Sequence, residues 1–313
     1  MAMTGTGQVS SDTTAFQQLA YFALRSNPMF EMVADVRSTA QSHNGSAVQF
    51  NIYNDLAQAT SALTEASDVT AVQLGDSTVT VTLAEYGNAV VTTAKLRGTS
   101  FLNVDADAAN IIGYNMVDSM DKIVADVANG GTNVIYGGVR TSRGTITATD
   151  LLTADKSRQA VAELRSANAP GFDNGNYIGM IHPDVAYDLR SETDVTDVLA
   201  FQVRQDASAV RNGSIGVFGG IEFIENPRAG LIADGGSGSV DVYQTLICGR
   251  QALAKAYSRA PGFGEDPSIV FGPVTDTLRR FNPVGWYALC GYGRFREAAL
   301  QRIETASSIG ANT

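Results

Sequence analysis

The 313-residue chain is 44% hydrophobic and 17% charged, with a formal net charge of -10. That is apolar enough for a packed core and excludes a disordered chain. The negative balance argues against a protein whose main work is gripping nucleic acid, which needs clustered Lys and Arg, but it permits enclosing nucleic acid without adhering to it. At about 150 residues per domain, two domains or one elaborated domain are expected.

No apolar run approaches the roughly 20 residues that span a bilayer. The N-terminal MAMTGTGQVSSDTTAF has neither a basic start nor an apolar signal core, so export by the usual signal is not expected. Residues 1–45 are polar and read as an arm that must lie on something else. Only Phe16, Leu19, Ala20, Phe22 and Ala23 suggest a short amphipathic helix there.

From 46 onward the pattern becomes strand-like. SAVQFNIYN alternates Val48, Phe50 and Ile52, and STVTVTL alternates Val79, Val81 and Leu83. A break is expected at Tyr86-Gly87-Asn88, with a new strand from Ala89. Between the strands lies a polar, acidic linker, LAQATSALTEASDVTAVQLGD. The alternating faces are Thr and Val, strong strand formers but poor in large apolar residues. Such a ribbon is hard to bury within its own domain, and at about 3.3 Å per residue each leg could project about 30 Å.

A long helix is predicted over 105–128, capped by Asp105 or Asp107 and ended by Asn129-Gly130-Gly131. Its stripe is Ile112, Met116, Met120, Ile123 and Val127, with Asp118, Asp121, Lys122 and Asp126 elsewhere. Residues 150–264 interleave a helix at LTADKSRQAVAELRSAN, a buried strand YIGMI, a short helix in HPDVAYDLRSE, a hairpin around Gly219-Gly220 and a strand VDVYQTLICG. The absence of a regular βαβ rhythm points to α+β. The last segment offers a strand leading to Arg280, a turn at Asn282-Pro283, a long aromatic strand from Gly285 and a final strand at 298–303, with a candidate antiparallel pair among them.

His182 and Asp184 are the most enzyme-like pair, and a hydrolase using them with a distant serine is one alternative. Pro183 nevertheless suits the first turn of a helix, and Asp184 suits its positive end. No GxSxG, HExxH, Walker A or GxGxxG pattern accompanies them. Cys248 and Cys290 sit in apolar surroundings and read as buried free thiols. No catalytic residue, cofactor or metal is therefore expected.

TLAEYGNAVVTTAKL, MIHPDVAYDLRSE, GSIGVFGGIEFIENP and FGPVTDTLRRFNPVGWYALCGYGRFREAALQRIET, in this order around a long helix, resemble the major capsid proteins of tailed double-stranded DNA bacteriophages. Their fold is shared with the herpesvirus capsid floor. The resemblance implies an N-terminal arm (1–45), an extended β-hairpin loop (46–98), a peripheral domain with a long spine helix (99–149 and 265–296) and an axial α+β domain (150–264 and 297–313). It also implies self-assembly through pentamers and hexamers into an icosahedral head, with a portal and, in some relatives, scaffolding or decoration proteins. The enclosed DNA would not be bound sequence-specifically, no membrane would be involved, and the virion would be assembled in the host cytoplasm. Some relatives cross-link subunits through lysine and asparagine; Lys95 is the tempting donor here, but no acceptor is evident and no cross-link is expected. Another alternative is a tail or other non-capsid virion protein.

On this resemblance, the acidic ribbon residues Asp55, Glu65, Asp68, Asp76 and Glu85 are expected to meet Arg279, Arg280, Arg294 and Arg296 of a neighbouring subunit.

Overall fold

The computed structural model describes residues 29–38, 45–63, 65, 68–100, 104–172, 175–191, 216–258, 264–271, 276–278 and 280–309. They fall into two compact units, one within 87–117 and 268–287, the other within 26–86, 118–267 and 288–313. The predicted helix around Phe16 lies outside the described residues.

The larger unit contains a seven-stranded sheet in the order β5 (Val134–Tyr136), β14 (Leu300–Thr305), β10 (Val242–Cys248), β6 (Tyr177–Ile181), β8 (Ile221–Glu225) and β7 (Gly216–Phe218), with β9 (Gly230–Ile232) also on β10. Parallel and antiparallel pairs mix, as between β6 and β8 and between β10 and β14. YIGMI reads as a continuous apolar run because β6 is covered on both faces. Tyr177 and Ile181 pack with α3 (Ala154–Ser166) and α4 (Pro183–Ser191), among Val161, Leu164, Val185 and Leu189. Ile178 and Met180 pack with Phe30, Val124 and Ala128, the latter two from the end of helix α2 (Val104–Asn129).

A charge cluster centred on a buried carboxylate joins β14, β10 and the loop after β5. Glu304, fully buried, accepts from Arg143 Nη2 at 2.6 Å, from Gln244 Nε2 at 3.2 Å and lies 2.9 Å from Arg302 Nε. The adjacent guanidiniums and amide hold its carboxyl below the usual range against the opposing effect of burial.

The ribbon belongs to the same unit. β2 (Ala47–Tyr53) and β3 (Asp76–Thr82) form an antiparallel hairpin with Phe50 opposite Val79. Its root packs Val48, Val81 and Leu83 against Ala256 of β11 (Leu253–Tyr257) and Leu289. β11 lies between β1 (Ala34–Ser38), which runs parallel to it, and the end of β13 (Phe281–Arg294), paired from Leu253–Arg294 to Tyr257–Cys290. Glycines permit the close approach: a Cβ on Gly293 would stand 2.7 Å from Val81 Cγ2, and one on Gly291 would run into the Thr82 carbonyl oxygen.

In the smaller unit, β12 (Ser268–Phe271) pairs antiparallel with the start of β13, from Ser268–Tyr287 to Phe271–Val284. Helix α1 (Ala94–Thr99) follows β4 (Ala84–Thr93) and is capped by Thr93, whose Oγ1 accepts from Leu96 N at 3.2 Å. Trp286 Nε1 and Asn88 Nδ2 both donate to Asn115 Oδ1, at 3.0 and 3.1 Å.

Four local expectations are corrected. β4 runs straight through Tyr86-Gly87-Asn88, and the interruption falls at Leu83, because Gly87 closes against the Trp286 carbonyl, where a Cβ would stand at 2.7 Å. Asn282-Pro283 is no turn but part of β13, whose residue 283 precedes the stretch paired with β12. Asp105 and Asp107 lie inside the first turn of α2; Asp105 Oδ1 accepts from Thr92 Oγ1 at 2.9 Å. Along α2, burial centres on Ile112, Met120, Val124 and Ala128, and it includes Asp121, which the pattern assigned to the polar side.

Replacing Gly291 by Ala is expected to cost about 1–3 kcal/mol, because backbone stands where the methyl would go. Gly98→Ala, in a helix with open space around it, should be neutral or stabilising by up to about 1 kcal/mol. Urea unfolding of unassembled subunits measures both.

Candidate assembly surface

Beyond its rooted base the ribbon is uncovered. Asn54 N donates to Gly75 O at 2.9 Å, closing the paired legs, and residues 54–63 and 68–75 are exposed throughout. Tyr53, Leu56, Leu63, Val69, Val72 and Leu74 are each more than half exposed. All five acidic residues singled out from the sequence, Asp55, Glu65, Asp68, Asp76 and Glu85, are exposed as well. Apolar groups in this density on a monomer mark a surface that meets another molecule.

A second apolar feature lies in the smaller unit. A trough of about 670 Å³ is lined by Ala89, Val270, Pro283, Trp286 and Tyr287, with Gly87 and Gly285 where β4 and β13 close together. Beside it Ile269, Val270 and Phe271 of β12 are exposed.

The arginines proposed to receive the acids behave differently from one another. Arg280 is exposed, 3.5 Å from Asp276 and stacked at 5.5 Å on Phe281. Arg296 is exposed, with its guanidinium 6.0 Å from the Phe295 ring. Arg294 is engaged inside its own subunit, donating to Glu297 Oε2 at 2.7 Å and to the Val127 carbonyl at 3.2 Å. Arg279 lies outside the described residues.

His182 and Asp184 form a helix start. β6 ends at Ile181 and α4 begins at Pro183, so His182 stands in the capping position; its carbonyl accepts from Ala186 N at 2.9 Å and its Nδ1 from Asp184 N at 3.3 Å. Asp184 in turn accepts from Tyr243 Oη at 3.0 Å. Burial lowers the His182 pKa against the opposing charge of Asp184, so its Nδ1 stays an acceptor. Burial, reinforced by Asp184, pushes the Tyr243 hydroxyl up to about 12 and keeps it a donor. Among the described residues no serine or cysteine is hydrogen-bonded to His182, and no group of three His, Cys, Asp or Glu side chains could hold a metal ion. Cys248 and Cys290 are buried free thiols, pushed by burial up to about 12 and about 11, far from the thiolate a nucleophile needs.

Ionic contacts that no local pattern announces fasten residues 30–31. Lys255 Nζ and Tyr292 Oη both reach Glu31 Oε1, at 2.5 and 2.9 Å. Asp121 accepts from Phe30 N at 2.6 Å and pairs with Arg228, which also contacts Asp118. Partners more than 90 residues apart leave no local signature.

A projecting ribbon, a long helix and mixed α+β units define a capsid subunit of the tailed-phage type, and comparison with known proteins agrees. Residues 5–309 match the family described as phage capsid protein, and the chain belongs to that family. The fold is similar to the capsid of Ralstonia phage GP4 (TM-score 0.76, 16% identity, covering 99% of each chain). It is also similar to the cyanophage Pam1 capsid asymmetric unit (TM-score 0.76, 14% identity, 98% of this chain and 99% of that one). The acid-stable capsid of Helicobacter pylori bacteriophage KHP30 is similar in the same way (TM-score 0.74, 13% identity, 98% and 99%). Among curated proteins, none matches the chain in sequence. The protein is a structural component of a phage head, located in the virion, and it assembles with others into a multimeric shell.

Because the folded pKa of His182 is depressed, the unfolded chain binds a proton that the folded one does not, so stability present above pH about 6.5 is lost as pH falls. The Tm of unassembled subunits should drop between pH 7.5 and 5.5, and drop less in His182→Asn, which keeps a capping side chain. An equal drop in the variant would place the pH sensitivity elsewhere.

Proposed function

We propose that the ribbon of one subunit lies over the trough and arginine-bearing surface of the next, joining subunits into pentamers and hexamers that close into an icosahedral head around double-stranded DNA. The observation that carries this reading is the ribbon tip, whose apolar residues from Tyr53 to Leu74 find no cover in their own unit. Apolar area supplies most of the affinity, while the acids opposite Arg279, Arg280 and Arg296 set register, since exposed pairs contribute only about 0–1 kcal/mol each. Arg294 drops out of this set because it is already engaged. Weak contacts become a strong shell through repetition and closure.

In the same reading, 1–45 is the arm, 46–98 the extended loop, 99–149 with 265–296 the peripheral domain and 150–264 with 297–313 the axial domain. Assembly takes place in the host cytoplasm around a portal, with scaffolding or decoration proteins where the phage encodes them. The chain acts without catalysis of its own.

Expression of the chain alone, with light scattering after size exclusion and electron microscopy, should yield shells or pentamers and hexamers. A chain that stays monomeric even with its phage-encoded neighbours would overturn the reading. Arg279→Glu with Arg280→Glu should weaken each contact by up to about tenfold, cutting particle yield sharply while circular dichroism and Tm stay unchanged; undiminished yield would remove these arginines from the interface.

A further inference from the structure

We propose that Arg158 and Arg165, which bracket the bare turn at Gly219-Gly220, bind phosphate groups of the double-stranded DNA that the shell encloses. This rests on the reading that the shell holds DNA. Both arginines are exposed on α3. Seven residues are close to two helical turns, so the two side chains leave one face about 10 Å apart along the axis.

The turn beneath them has two residues between β7 and β8, with φ of 61° at Gly219 and 90° at Gly220. Such a hairpin turn with both central residues at positive φ favours glycine. At Gly220 there is a further reason: a Cβ would stand 2.8 Å from Arg165 Nη2, while the stem of Arg158 passes Gly219, its Cγ 3.6 Å from where a Cβ would be. The Arg158 stem therefore passes over Gly219, while the Arg165 guanidinium itself lies over bare Gly220, and both residues remain exposed.

Their electrostatic state, shared with the exposed Arg296, differs from that of most described arginines. Arg140, Arg143, Arg190, Arg228, Arg294 and Arg302 each lie within ion-pairing distance of a carboxylate. Among the described residues Arg158 and Arg165 have no such carboxylate within 4.0 Å. Of the acids on the same helix, Glu163 is occupied by Gln159 and Gln301, and Asp155 lies in the first turn, where the helix dipole favours it. Two unneutralised planar forks suit phosphate oxygens, which they can engage bidentately. In a chain of net charge -10 this pair makes a local, salt-sensitive contact, touching DNA without immobilising it.

The test is fluorescence anisotropy of a labelled 20-base-pair duplex titrated with the full chain at 25–150 mM NaCl. Arg158→Gln with Arg165→Gln should lose roughly tenfold in affinity at the low-salt end, and its log K against log[salt] slope should be shallower by about 1.8, or about 0.9 per lost phosphate contact. Lys122→Gln, which removes an exposed positive charge elsewhere, should leave the slope unchanged. Wild-type affinity and slope in the double variant would overturn the proposal. So would protection of the two arginines from phenylglyoxal by inorganic phosphate but not by duplex, which would indicate a free-anion site. A third overturning result is loss of particle yield without DNA, with duplex binding intact, which would point to carboxylates of a second copy. Electron microscopy of the same samples separates the two readings, since shells that form normally leave the capsid assignment standing whatever the DNA result.

Discussion

The ribbon has almost no core of its own, and much of the architecture follows from that constraint. Period-two alternation, of Val, Phe and Ile in β2 and of Thr and Val in β3, gives two well-formed strands, yet only Val48, Val81 and Leu83 become buried, and they do so against β11 and Leu289. That contact depends on backbone approaching backbone at Gly291 and Gly293, where any side chain would collide with β3. The root is thus held tightly while the tip remains without cover. A subunit built this way satisfies its apolar surface only by associating, which is the behaviour a shell requires.

The opposite strategy governs residues 30–33. Phe30 and Val33 are buried, and Glu31 and the Phe30 backbone are gripped by Lys255, Tyr292 and Asp121. Buried ion pairs recover little net stability after desolvation, but removing one partner is costly, so they favour one arrangement over its alternatives. Glu304 with Arg143, Arg302 and Gln244 works in the same way between β14, β10 and the loop after β5. Residues 30–33 are therefore held at a specified place, as the ribbon root is.

His182 illustrates how a catalytic-looking pair resolves into folding chemistry. Its carbonyl and Nδ1 both serve the first turn of α4, Pro183 occupies the position where a missing N–H costs nothing, and Asp184 is taken by Tyr243. Read linearly, His-Pro-Asp invites a mechanism; in space it is the point where a buried strand becomes a helix.

Periodicity alone located β2, β3, β6, β10, α2 and α3, because each is long enough, or apolar enough, for local pattern to dominate. The order of motifs identified the capsid family. Local signals failed where a distant chain segment overrode them: Tyr86-Gly87-Asn88 and Asn282-Pro283 look like turns but lie within strands, and Asp121 looks solvated but caps Phe30. The sequence by itself determined the longer or more apolar strands and helices, that the ribbon is too poor in large apolar residues to bury itself, and where its charges lie. Only the tertiary structure decided that Arg294 is spent internally while Arg280 and Arg296 remain exposed, and that Arg158 and Arg165 meet at a glycine turn. Composition fixes how much charge and apolar surface a chain has, but whether a given group is neutralised depends on partners far away in sequence, which only the folded arrangement brings within a few ångströms.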